Sequence, residues 1–150
     1  MIRSRVTRYT YGTSTLLPFR EGVDPVGRRT LDSDGNPYCE DRFRVFVSNG
    51  DSIEVEHVVE RQTMPLRVDQ ENIFIGLYRA LPPHPDYVDE PQCESIGSLT
   101  IDLSKVMHLP REQRLVRVMF KFGTTEIEVD AINVHTQQHV GCSLRFDASY

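Results

Sequence analysis

The sequence has 150 residues and the composition of an ordinary globular protein, with 39% hydrophobic and 26% charged residues. This balance excludes a disordered chain, and no apolar run approaches the ~18 residues that a membrane-spanning helix needs. The formal net charge of -5 argues against a nucleic-acid-binding protein, because neutralising phosphates usually requires a basic face. We therefore predict one domain, residues 1–150, that binds neither nucleic acid nor membrane.

The N-terminus and the cysteines both predict a cytoplasmic protein. The N-terminal stretch MIRSRVTRYTYG contains arginines without an apolar segment behind them, so it lacks the pattern of a secretory signal. The three cysteines are widely spaced and odd in number, which favours reduced thiols over a disulfide framework. They are Cys39, Cys93 and Cys142.

Hydrophobic residues alternate with polar ones along most of the chain, and segments with helical spacing are nearly absent. Such alternation is typical of strands that have one face in a core and the other in solvent. We predict an all-β fold, an antiparallel β-sandwich of about seven or eight strands with little helix and two long loops, at residues 21–41 and 81–92. The predicted strands cover residues 9–17, 42–47, 53–59, 73–78, 97–103, 116–122, 127–134 and 140–146.

The first predicted strand follows three arginines and is interrupted by a glycine. Arg3, Arg5 and Arg8 are predicted to form a solvated strand edge, with contact to an acidic partner as the alternative. Gly12 indicates a bend or the close approach of another backbone. The hydroxyl and apolar residues at 13–17 predict a strand edge that can accept an added extended chain through backbone hydrogen bonds. An ordinary edge strand is the alternative interpretation.

Three later segments lead to more specific predictions. An Asn-Gly turn at residues 49–50 is predicted to join the second and third strands. Residues 73–78 are apolar at odd and even positions alike, which predicts a strand buried on both faces. The apolar residues stand at odd positions up to Ala131 and at even positions after it, which predicts a β-bulge there.

The metal and catalytic motifs are weak. The motif DSDGN at residues 32–36 resembles the opening of a calcium loop, but Phe43 stands where that loop needs a glutamate, so we predict a surface turn. His135 and His139 have a metal spacing only on a helix, whereas they fall in a predicted turn. No histidine accompanies a recognisable nucleophile motif. We predict no enzyme activity and no metal or cofactor in this domain, and an unreactive Cys39 in its acidic loop.

Several segments, in their order and spacing, resemble one family. They are YTYGT at residues 9–13, FVSNGDSI at 46–53, GSLTIDL at 97–103 and the closing hairpin at 122–146. Together they resemble the C-terminal β-sandwich substrate-binding domain of the 70-kDa heat-shock chaperones, and most closely the divergent heat shock 70 kDa protein 12 branch. The resemblance implies a piece of a longer protein, whose nucleotide-binding domain and helical lid lie outside residues 1–150.

This resemblance also implies a function. Members of the family hold a short extended apolar peptide or unfolded protein in a cleft at one end of the sandwich, with a pocket for one aliphatic side chain. The chain would then be a peptide-binding module of a chaperone-like protein, and ATP would bind elsewhere in the full-length protein. Transferred by position, the peptide-binding residues are Thr13, Thr15, Leu16, Arg61, Gln62, Met64, Ile73 and Ile75.

Two departures from the family pattern keep a second interpretation open. Thr13 and Arg61 are polar where the family favours apolar side chains, and the connection at residues 18–41 is longer than in typical members and can cover the cleft. The alternative is a protein–protein interaction module of the same fold that has lost the cleft and docks a folded partner. Within the cleft, Ile73 and Ile75 are predicted to divide their roles, one facing the core and the other the peptide.

Overall fold

The computed structural model describes residues 4–149, which form twelve strands and three short 3-10 turns. Arg3 of the predicted basic edge lies outside the described residues. The strands are β1 (Ser4–Thr7), β2 (Thr10–Pro18), β3 (Arg29–Leu31), β4 (Pro37–Val47), β5 (Ser52–Glu54), β6 (Val58–Thr63), β7 (Asn72–Ala80), β8 (Cys93–Asp102), β9 (Val116–Phe122), β10 (Glu126–Asn133), β11 (His139–Arg145) and β12 (Ala148–Ser149). The 3-10 turns cover Val26–Arg28, Ser104–Val106 and Arg111–Gln113. At three residues each, none of these described helical segments is long and apolar enough to cross a membrane.

The strands pair into three antiparallel sheets. Their orders are β3-β4-β2-β7-β8, β11-β10-β9-β6 and β12-β1-β5. This architecture confirms the predicted all-β antiparallel sandwich with little helix. Eight of the strands have six or more residues, which matches the predicted number. The other four, β1, β3, β5 and β12, have two to four residues and are too short to show alternation in the sequence.

The main core lies between the five-stranded and the four-stranded sheets. In β9, alternate residues Val116, Val118, Phe120 and Phe122 are all buried, as the alternation predicts. Phe120 stacks on Phe46 of β4 with 3.9 Å between the ring centroids. Because burying each such aromatic side chain contributes ~1.5–3 kcal/mol, this face of β9 holds the two sheets together.

The prediction of a solvated strand edge at the three arginines is wrong for Arg5. Arg8 is exposed, but Arg5 is only 1% exposed. Its guanidinium donates hydrogen bonds to the carbonyl oxygens of Gly123 and Thr124 and lies 4.9 Å from the centroid of the Phe146 ring. The basic start is therefore in part an anchor for the turn that joins β9 and β10.

The predicted Asn-Gly turn at residues 49–50 is present, with a φ of 87° at Gly50, but the strands that it joins do not pair with each other, because β5 joins β1 in a separate sheet. Two other predicted strand features are wrong. The third strand is itself broken at Glu56, where φ is 75°, so it forms β5 and β6. In place of a bulge at Ala131, β10 keeps an unbroken register with both neighbours. The alternation continues inward to the polar Asn133, whose side-chain oxygen accepts the backbone N–H of His135 at 3.1 Å.

The predicted loop at residues 21–41 is partly strand. β3 and the first residues of β4 form a hairpin that extends the five-stranded sheet. In the turn that closes it, the Asp32 carboxylate accepts the backbone N–H groups of Asp34 at 2.9 Å and Asn36 at 2.8 Å. Gly35 has a φ of +82°, a conformation that favours glycine. The DSDGN motif is therefore a hairpin turn.

Candidate functional site

A hollow of about 610 Å³ opens at one end of the sandwich, between the five-stranded and four-stranded sheets. Its walls come from β2, β4 and β7 of one sheet, from β6 and β9 of the other, and from the connector at residues 64–71. All eight predicted peptide-contact residues line it: Thr13, Thr15, Leu16, Arg61, Gln62, Met64, Ile73 and Ile75. The structure thus brings together three segments that are far apart in sequence.

The strand edge beside this hollow starts later along β2 than predicted. At Gly12, β2 is paired on both sides, with Val45 of β4 and Tyr78 of β7, so an added chain cannot bind there. Gly12 permits the close approach of β4 instead, because a Cβ at this position would lie 2.7 Å from the carbonyl oxygen of Arg44. The predicted close approach is confirmed, and the edge predicted at residues 13–17 is closed at Thr13, which also pairs on both sides.

An open edge begins two residues further along β2. Pairing of β2 with β7 ends where Thr13 faces Leu77, although β2 continues to Pro18. Ser14 Oγ accepts the backbone N–H of Gly76 at 3.0 Å, which ends the ladder. Beyond this point, among the described strands, β2 is paired only with β4, and the start of β7 only with β8. Two strand edges therefore diverge at the mouth of the hollow, with main-chain groups available to an extended chain.

The apolar floor of the hollow is also part of the main core. Ile73 and Ile75 are 8% and 6% exposed and lie on the same face of β7, so the prediction that they divide their roles is wrong. Phe74, between them, is 60% exposed, so the predicted burial of this strand on both faces is wrong here, whereas Gly76 is buried and Tyr78 half-buried on the same face as Phe74. The opposite wall adds Val118 and Phe120 of β9. An aliphatic side chain entering the hollow therefore meets apolar surface from both sheets.

Two arginines point into the hollow from facing sheets. Arg44 of β4 is opposite Thr13, which is itself opposite the buried Leu77, so all three share the inward face. Arg61 of β6 is opposite the buried Val118 and also points inward. Burial, together with the charge of Arg61, lowers the pKa of Arg44. Arg44 was not predicted, because alternation within its strand does not indicate which end borders the hollow.

The long connection between β2 and β4 forms one wall and leaves the hollow open. Thr30 of this connection lines the hollow, as does Tyr38 at the start of β4. Further back, the Asp24 carboxylate lies 2.8 Å from Arg20 Nη2 and accepts a hydrogen bond of 2.6 Å from the Tyr87 hydroxyl. The hydrogen bond from Arg20 holds the pKa of Asp24 well below its usual range. Since Tyr87 belongs to the loop at residues 81–92, the two long connections are fastened to each other.

The residues of the metal-like motifs have other contacts. Asp34 Oδ2 accepts a hydrogen bond of 3.0 Å from Arg111, which also donates to the Pro65 carbonyl oxygen and so ties the hairpin turn to the connector at residues 64–71. His139 Nδ1 lies 3.1 Å from Asp130 Oδ1. Between residues 4 and 149, no group of three or more His, Cys, Asp or Glu side chains is placed to hold a metal ion.

The three thiols should differ in reactivity, with Cys39 the slowest. Cys39 is 0% exposed, whereas Cys93 and Cys142 are half-buried. Burial raises the pKa of all three thiols, so the difference comes from access of the reagent to the sulfur, which Cys39 lacks. Timed alkylation with mass spectrometry should therefore label Cys93 and Cys142 at least ~10-fold faster than Cys39. In denaturant the three rates should converge; equal rates in the folded protein would contradict the burial of Cys39.

Known proteins similar to the chain come from one branch of the 70-kDa heat-shock family, although no protein-family model matches it. The chain is 30% identical to heat shock 70 kDa protein 12B of Homo sapiens. It is 28% identical to heat shock 70 kDa protein 12A of Homo sapiens and of Mus musculus. Each comparison covers 97% of the chain and 22% of the relative, so the chain spans about a fifth of the length of these curated relatives. The resemblance predicted from the sequence is confirmed: over 97% of its length, the chain is similar to heat shock 70 kDa protein 12.

Proposed function

We propose that this domain is the peptide-binding module of a chaperone-like protein and holds an extended apolar segment in the hollow. The observation that best supports this proposal is the convergence of residues 13–16, 61–64 and 73–75 on one hollow. The similarity to heat shock 70 kDa protein 12 supports a role within the chaperone family. The control by ATP that the resemblance implies for a full-length protein would then lie outside this domain, which binds without turnover.

The geometry of the hollow suits an extended ligand. Its volume of about 610 Å³ falls within the ~300–1,000 Å³ of typical ligand sites. The diverging edges of β2 and β7 offer main-chain hydrogen bonds, and the apolar floor can bury one aliphatic side chain, worth ~1.5–3 kcal/mol. Because ordering the peptide offsets much of this gain, we expect an affinity of roughly micromolar Kd.

A peptide titration followed by amide chemical shifts tests the proposal. An unfolded peptide with one leucine should shift the amides of Thr13, Leu16, Ile73 and Ile75, because these residues line the hollow. A matched peptide with asparagine in place of the leucine should bind at least ~10-fold more weakly, since it lacks the apolar side chain. If saturating peptide leaves these four amides unmoved, the proposed site is wrong.

A module that docks a folded partner outside the hollow is the second candidate. It is favoured by Val23 and Val26, which are 63% and 82% exposed in the connection between β2 and β4. A folded partner would then shift the amides of Val26 and Asp86 and leave Ile75 unmoved. Tyr38 lines the hollow and cannot distinguish the two functions.

A further inference from the structure

Arg44 and Arg61 place two positive charges in a hollow that is otherwise suited to an apolar side chain. Both point inward, from facing sheets, as their partners Thr13 and Val118 establish. Both side chains line the hollow, where Arg44 is exposed and Arg61 is half-buried. Two like charges in one hollow repel each other, so the free domain holds them at a cost.

No carboxylate of the described residues neutralises these two side chains. Within residues 4–149, neither Arg44 nor Arg61 lies within 4.0 Å of an acidic oxygen. Arg61 Nη1 donates only to the carbonyl oxygen of Glu60, at 3.1 Å, and its Nε is buried and has no hydrogen-bond partner among the described residues. Seven other arginines do pair with carboxylates: Arg20, Arg28, Arg42, Arg79, Arg111, Arg117 and Arg145.

The other charged groups around the hollow do not neutralise Arg44 and Arg61. The Asp41 carboxylate lies 3.7 Å from Arg28, and Glu40 is exposed on β4. Arg67 also lines the hollow, where it donates to the Thr30 hydroxyl at 3.0 Å. Acidic groups on the rim and a net charge of -5 disfavour a polyanion such as nucleic acid. A single carboxylate beside an apolar group fits the site better.

We infer that the segment bound in this hollow has a carboxylate next to its aliphatic anchor, so that the domain prefers acidic over neutral or basic peptides. The inference rests on the proposed peptide-binding function. A guanidinium presents a planar fork of N–H donors that matches a carboxylate. The carboxylate of the ligand would neutralise Arg44 and Arg61 and accept hydrogen bonds from their guanidinium groups, while Ile73, Ile75 and Val118 receive the aliphatic side chain. The carboxylate can come from an aspartate or glutamate side chain or from a peptide C-terminus.

Binding of four matched peptides, measured by fluorescence anisotropy, tests this inference. Three amidated peptides contain one leucine followed by aspartate, asparagine or lysine, and the fourth is the asparagine peptide with a free C-terminus directly after that residue. The aspartate peptide should bind about 10-fold more tightly than the asparagine peptide, because a charge-assisted hydrogen bond is gained. The lysine peptide should bind more weakly than either. If only the peptide with the free C-terminus binds more tightly than the amidated asparagine peptide, the carboxylate is that of a chain end, which also supports the inference.

Variants of the two arginines give the matched control. In R44Q/R61Q the aspartate and asparagine peptides should bind equally. Arg117→Gln removes the same kind of charge from the outer face of β9, where it pairs with Glu60 at 2.8 Å, and should keep the full preference. The unfolding midpoint of R44Q/R61Q should not fall, since the substitution removes two repelling charges; this separates lost recognition from lost folding.

Three outcomes would overturn the inference in different ways. If the wild-type domain binds all four peptides equally, the carboxylate has no role although peptide binding stands. If the preference survives in R44Q/R61Q, Arg44 and Arg61 do not recognise the carboxylate and the inference is wrong. If none of the peptides binds, the proposed function itself fails. A preference for the aspartate peptide that is lost in R44Q/R61Q and kept in Arg117→Gln supports both the proposed function and the inferred carboxylate.

Discussion

Replacing Ile75 with serine should lower the free energy of unfolding by about 3–5 kcal/mol. Ile75 is 6% exposed and packs in the main core between the sheets, so serine would leave a cavity and bury an unpaired hydroxyl. Ile73, on the same face of β7, should respond in the same way. Denaturant unfolding monitored by circular dichroism measures the loss directly.

The neighbouring Phe74 is the control for Ile75. Phe74→Ser should cost less than about 1 kcal/mol, because this side chain is 60% exposed and lies on the opposite face of the strand. Comparable losses at both positions would mean that β7 is buried on both faces after all. An Ile75→Ser domain of unchanged stability would mean that this residue faces only the hollow and that the core does not extend to it.

The alternation of apolar residues was enough to predict the fold class, because most long strands have one buried face. Val116 to Phe122 is the clearest case, since every second residue is buried. Alternation says nothing about which strands pair, so it could not show that β5 pairs with β1 and not with β4, to which the turn at residues 49–50 joins it. It also missed β3, whose three residues alternate too briefly and whose pairing with β4 depends on the Asp32 turn.

The candidate site was located by the resemblance to the heat-shock family, which carries information on long-range position that local patterns lack. Thr13, Arg61 and Ile75 share no local motif, yet all line one hollow. What could not be predicted were properties of the assembled sheets. The open edge of β2 starts at Ser14, where pairing with β7 ends, and Arg44 faces the hollow only because β4 lies beside β2 there.

The contact between β2 and β4 leads to the last prediction, that Gly12→Ala should destabilise the domain by about 1–3 kcal/mol. The added Cβ would lie 2.7 Å from the Arg44 carbonyl oxygen and would also collide with the ring of Phe43, which is 5% exposed and packs in a second core cluster. Backbone and a buried ring cannot move aside without separating the two strands.

Gly27→Ala is the matched control for this collision. A Cβ at Gly27 meets nothing within 4 Å, so its effect on the unfolding free energy should stay within about 0.5 kcal/mol. Equal stabilities of the two variants in denaturant unfolding would contradict the tight contact between β2 and β4. Because Gly12→Ala must displace the backbone of Arg44, it should also reduce the preference for the aspartate peptide, although it alters no charge. A loss of that preference in Gly12→Ala, with Gly27→Ala unaffected, would link the packing of β2 against β4 to the charge of the hollow.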